Sequence, residues 1–256
     1  MSLFNDNLKE IKIYYIAILI IVSYFVLYVL GKVTGVINEK WLYVVIITYF
    51  IIKLKDYSSD FREDLFKVFS EIGLKYILGI VFSNIFFSYG MLYLANECVV
   101  HFPALNFLVG FYVPSMSLTG SLPILGIFVS TVLISPISEE LIFRGVLLNR
   151  LKLYTPAIFA ILISSLLFAA LHSFGSIISA FVFAVCMAIL YLKTENICVP
   201  ILAHFLNNLF AELIRIADYD NLLFTNGIVM SVVSILAIIS AIILLKSITK
   251  ELNKVK

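Results

Sequence analysis

Long apolar runs separated by short charged loops constrain this 256-residue chain more than any other feature. Eight can be read: Ile11–Leu30, Trp41–Leu54, Tyr76–Ala95, Ile124–Leu148, Ala157–His172, Ile177–Leu192, Val199–Ile214 and Ile228–Leu245. A membrane span needs about 20 apolar residues. Backbone in lipid must satisfy its own N–H and C=O groups, so such runs fold as helices. The runs are continuous and lack the alternation of a β-barrel. Composition points the same way, with 62% hydrophobic residues, 13% charged and a mean hydropathy of +1.08. Soluble domains have roughly 45–50% and about 25% of these two classes. The expectation is an all-α polytopic membrane helix bundle of about eight transmembrane helices, in the cell membrane. Trp41–Leu54 is its shortest span. Cys98, Cys186 and Cys198 are too few and scattered for a disulfide scaffold. A net charge of +2 gives no reason to expect a nucleic-acid partner; the bilayer is the expected surroundings.

The placement of the basic residues orients the bundle. With the N-terminus inside, the inner segments hold fourteen of the eighteen Lys and Arg, and the outer loops hold only Lys32, Lys40 and Arg215. That bias predicts cytoplasmic N- and C-termini. Three regions follow. Residues 1–122 form N-terminal membrane helices, with a segment at about 55–75 whose Phe61, Leu65, Phe66, Phe69 and Ile72 recur at near-helical spacing. That pattern predicts an amphipathic helix on the inner membrane surface. Residues 123–215 form a core region, and 216–256 form a last span with a basic tail. The segment Cys98–Pro123 has no Lys or Arg but carries Phe102, Phe107, Phe111 and Tyr112. It is expected against the outer interface.

The core region carries charges that lipid opposes. The fourth run holds Glu139, Glu140 and Arg144. Each such group near the bilayer centre costs about 2.5–3.5 kcal/mol even on lenient insertion scales. Glu140 and Arg144 stand at i and i+4, so they share a face and can pair. Glu139 points about 100° further round and needs other partners. Pro136 removes a backbone donor just before them and predicts a kink. The chain has three histidines. His101 falls in the outer loop as an interfacial polar group. His172 follows Phe168 by four residues, and His204 precedes Asn208 by four, so each pair shares a helix face. Ser135 and Ser138 are expected to bond to their own helix backbone, and Cys186 to pack.

Depth gives a first test of convergence. Glu139 and His172 each lie about 16 residues from the turn at Tyr154-Thr155-Pro156, roughly 24 Å along the helices, so they are level. His204 is only about 10 Å from the start of its run and Asn208 about 16 Å, so these two need an early helix start, a tilt or a broken helix to join them. Carboxylates and imidazoles brought together on separate spans have the composition of a hydrolytic or proton-transfer site.

Taken in order on successive runs, Glu139-Glu140-x-x-x-Arg144, Phe168-x-x-x-His172 and His204-x-x-x-Asn208 resemble the motifs of the CAAX-protease and bacteriocin-processing (CPBP, Abi) family of intramembrane proteases. The resemblance covers roughly Pro123 to Ile214. It implies hydrolysis of a peptide bond in a hydrophobic, lipidated or membrane-associated peptide or protein. By position it implies a catalytic set of Glu139, Glu140, His172, His204 and Asn208, with Arg144 and Phe168 supporting it. Glu139 and His172 would activate water, and His204 and Asn208 would stabilise the oxyanion. The favoured reading needs no cofactor. A zinc ion held by two His and a Glu, with an open position for water, is the alternative. Two other functions stay open: a non-catalytic membrane immunity or partner-binding protein, and a proton-coupled transporter.

Overall fold

A computed structural model describes residues 2–34, 40–102, 126 and 128–254. A short helix, α1 (Leu3–Glu10), precedes α2 (Ile13–Thr34) and α3 (Lys40–Leu54). A 3₁₀ turn at Lys55–Tyr57 leads into α4 (Ser58–Glu71), and α5 (Leu74–His101) follows. The next helix, α6, is composite. It has π turns at Ser130–Ile134, α turns at Ser135–Glu140, π turns again at Leu141–Leu148 and a last α turn at Asn149–Leu151. Then come α7 (Ala157–Ala169), α8 (Ile177–Thr194), α9 (Cys198–Ala217), the single turn α10 (Leu222–Thr225) and α11 (Gly227–Leu252). The segment Cys98–Pro123, expected against the outer interface, begins as the end of α5, and from residue 103 onward it lies outside the described residues.

The chain is thus an all-α, multi-span membrane bundle. Among the described residues α2, α5, α8, α9 and α11 are long and apolar enough to cross a bilayer. The runs read at Trp41–Leu54 and Ala157–His172 give helices of 15 and 13 residues, and the fourth run gives the composite α6. A helix shielded by neighbours need not cross the whole hydrocarbon layer alone, because protein covers its ends.

The sequence of each helix tells its place. α8 is apolar on every side and is buried from Ser179 to Tyr191 on most positions, so it is the axis of the bundle. α2 shows Ile18, Ile21, Val22 and Phe25 outward, as a peripheral helix does in lipid. α4 covers most of the segment read as amphipathic, with Asp64 and Val68 turned inward and Leu65, Phe66 and Phe69 exposed. α1 was not legible in the apolar pattern. Its Asn5 is buried and donates to Asp64 Oδ2 at 2.7 Å, while its Oδ1 accepts from the Ile197 N–H at 3.0 Å. Asn196 donates to the Asp64 carbonyl at 2.9 Å. This knot buries the turn between α8 and α9 beneath α1 and α4.

The α5–α11 pair packs backbone to backbone. A Cβ added at Gly90 would lie 2.5 Å from the Ala237 Cβ. Overpacking of this kind costs about 1–3 kcal/mol. Gly90→Ala is expected to lower the melting temperature in detergent, followed by circular dichroism, and Ala237→Gly in the same chain to restore most of it. Equal stability of Gly90→Ala and the parent would show that the crossing is not close.

Candidate active site

α6 supplies the acidic half of the site. Glu140 and Arg144 are 0% and 1% exposed, and their i, i+4 spacing closes into an ion pair of 2.9 Å between Glu140 Oε1 and Arg144 Nη1. Arg144 also donates from Nη2 to the Ala184 carbonyl at 3.1 Å and lies with its Cζ 4.7 Å from the centroid of Phe168. A guanidinium can do this because its donors fan out in one plane while its face stacks on a ring. Glu140 Oε1 has a second donor, His204 Nδ1, at 2.8 Å. The first motif and the third thus meet directly.

His204 reaches this level although its run looked too shallow. Asn196, Ile197 and Cys198 are buried, so α9 starts inside the protein and not at the membrane face from which depth was counted. The His204 ring stands edge-on to Phe168 and Phe183, with centroids 5.9 and 5.2 Å away. These contacts and the bond to Glu140 aim Nε2 at Glu139, whose Oε2 lies 3.9 Å away. That separation is too long for a direct hydrogen bond.

Glu139, as its angle on α6 requires, has partners of its own. Its Oε1 accepts from Tyr43 Oη at 3.2 Å and from Ser135 Oγ in a short bond. The expectation for Ser135 is corrected here, since its hydroxyl serves the carboxylate one turn on. Ser138 does bond its own helix, donating to the Ile134 carbonyl at 3.0 Å. Tyr43 was missed. It is one of fourteen tyrosines, and its position on α3 gives no signal of a contact with α6.

Phe168 and His172 come together by a different route from the one read. α7 ends at Ala169, and His172 sits in the turn beyond it. Its N–H bonds to the Ala169 carbonyl at 3.0 Å, and its ring lies on Phe168 with centroids 4.7 Å apart. Nδ1 is 3.0 Å from the Phe168 carbonyl, which only accepts, so Nδ1 carries a proton and the neutral ring presents Nε2 as an acceptor. Asn208, one turn after His204, donates to the Thr131 carbonyl at 2.9 Å and accepts from Asn207 at 3.2 Å. His101, read as a loop residue, is instead the last residue of α5, where it is exposed.

The zinc alternative needs three converging ligands. Among the described residues no group of three or more His, Cys, Asp or Glu side chains is arranged to hold a metal ion. Glu140 Oε1 is already occupied by Arg144 and His204, and His172 Nδ1 by a carbonyl. Glu140 is therefore committed to its ion pair and to His204 rather than to a metal ion.

Comparison with known proteins points to the same segment. Residues 120–210 match the family model described as Type II CAAX prenyl endopeptidase Rce1-like. Every residue of the three motifs falls within that match. The chain is 35% identical over 98 residues to a Bacillus subtilis (strain 168) protein named "Putative membrane peptidase YdiL". The aligned part is 38% of this chain and 40% of that protein, so the chain spans well under half of the relative it matches. No solved structure matches.

Removing one partner of a buried ion pair costs about 3–5 kcal/mol, because the other charge is stranded. Arg144→Met is expected to lose stability on that scale in detergent unfolding, and Glu140→Gln in the same chain to recover most of it. A double variant as unstable as the single one would show that the pair is not coupled.

Proposed function

From the Rce1-like CAAX-protease core to which residues 120–210 belong, we propose that this chain is an intramembrane endopeptidase. It hydrolyses a peptide bond in a hydrophobic, lipidated or membrane-associated peptide or protein. The observation that carries this reading is the approach of Glu139 Oε2 to His204 Nε2 at 3.9 Å, over a sealed Glu140–Arg144 pair. A water held between such groups has an acceptor for its proton on one side and a fixed ring on the other.

In the proposed reaction Glu139, assisted by the His172 Nε2 lone pair, takes a proton from water as the oxygen attacks the substrate carbonyl carbon. The carbonyl π electrons move to oxygen, and this oxyanion is met by Asn208 and His204. His204 already gives its Nδ1–H to Glu140, so it donates from Nε2 only as the imidazolium. Collapse of the intermediate restores the carbonyl and breaks the C–N bond. The proton held by Glu139 passes to the leaving amine. Arg144 and Phe168 fix Glu140 and the rings and touch no reacting atom. We place this centre in a bundle of eight spans with both termini cytoplasmic, the arrangement that keeps the basic loops inside.

Mass spectrometry of membrane peptides from cells carrying the parent and the Glu139→Ala protein tests the reading. The parent is expected to yield a cleaved product that falls at least about 100-fold in the variant. Asn208→Ala is expected to lower kcat on that product by about 10²–10³-fold. Retained cleavage by a normally inserted Glu139→Ala protein would refute the assignment.

A further inference from the structure

The Asn208 carboxamide is not held by α6 alone. Asn207, turned about 100° round α9, faces α5, where Asn84 is 6% exposed within an apolar span. Asn84 Nδ2 donates to Asn207 Oδ1 at 3.0 Å, Asn207 Nδ2 donates to Asn208 Oδ1 at 3.2 Å, and Asn208 Nδ2 donates to the Thr131 carbonyl at 2.9 Å. The last acceptor sets the direction of the whole chain. A backbone carbonyl offers no proton, so the nitrogen of Asn208 must face it, its oxygen must face Asn207, and so on back to Asn84. The first link shows the cost: Asn84 Oδ1 is buried without a hydrogen-bond partner. Turned over, Asn84 would set that oxygen against Asn207 Oδ1, acceptor against acceptor.

We propose that Asn84 and Asn207 are positioning residues that lock the Asn208 carboxamide, so that its second N–H points at the reaction centre. The proposal rests on the reading of Asn208 as an oxyanion donor. Without the relay only the Thr131 carbonyl opposes rotation of the amide, and an amide that turns over presents an oxygen to an oxyanion. A purely structural polar contact between α5 and α9 would have no such effect on the chemical step.

The test uses the full chain in detergent and the membrane peptide found to be cleaved by the parent. Asn84→Leu keeps an apolar filler in the span; Asn84→Ala replaces it if thermal unfolding shows the leucine to disturb the fold. The expected result is a kcat about tenfold lower with KM within about twofold, and no further loss when Asn208 is already Ala. The side-chain ¹⁵NH₂ signal of Asn208, identified by its disappearance in Asn208→Ala, is expected to move in the Asn84 variant. A stationary signal, an unchanged kcat, a change in KM alone, or an undiminished loss in the Asn208→Ala background would each overturn the proposal. If the parent cleaves nothing while the signal still moves, the protease reading has failed and the catalytic purpose of the relay falls with it, although its geometry survives.

Discussion

The Glu140–Arg144 pair is the interaction on which the rest of the arrangement depends. Burying two charges this deeply is costly unless strong donors and acceptors are brought to them. Arg144 meets that demand through α8, by the Ala184 carbonyl, and through α7, by the face of Phe168. Glu140 meets it only at Oε1, through α9 by His204, while its Oε2 is buried without a hydrogen-bond partner. Four helices are therefore tied to one another by the need to neutralise a single pair. The cost of burial is better explained by the rigidity it confers than by net stability, since such pairs seldom outdo apolar packing. Rigidity here means a fixed ring at position 204 and a fixed helix turn under Glu139.

The irregular turns of α6 follow from the same scarcity of water. A π turn disturbs the regular backbone ladder, and carbonyls left short of a donor are tolerated in a membrane only where protein supplies one. At the first π segment the donor to Thr131 is Asn208. At the second, Asn149 donates to the carbonyls of Arg144 and Gly145 at 3.2 and 2.8 Å, and to Tyr191 Oη at 2.8 Å. Pro136, which lacks an N–H, lies in the α turns between the two. The kink read from that proline is thus spread over two widened stretches. They bracket the turn that carries Glu139 and Glu140.

What could be read in the sequence was whatever a helix places on one face. Glu140 and Arg144, four apart on α6, are in contact as that rule requires, whereas Phe168 and His172 touch through the turn beyond α7 and not on a shared helix face. Ionisable residues in apolar runs also drew the eye to His204. Contacts between helices left no such mark. Tyr43 is one aromatic among many and meets Glu139 only because α3 lies beside α6. Asn84 did carry a signal, a carboxamide in an apolar run, but its partners on α9 could not be named before the helices were placed. The depth of His204 was misjudged because apolar length locates a span and not the buried turn that starts it. That turn depends on Asn5 and Asp64, far apart in the chain.

Neighbouring carboxylates in one motif raise the question of why two are needed. Their surroundings divide the work. The Glu140 side chain has no exposure, and its Oε1 is shared by a guanidinium and an imidazole, so it cannot approach a substrate without breaking the frame. The Glu139 side chain keeps 14% exposure, and Tyr43 and Ser135 hold only its Oε1. Its Oε2 faces Nε2 of His204 at 3.9 Å. On the proposed reading this arrangement suits base catalysis: Glu139 takes the proton, and Glu140 keeps the imidazole in place while it does so. The 100° between consecutive residues of a helix is enough to separate the two tasks, which explains why the pair stands side by side and not one turn apart.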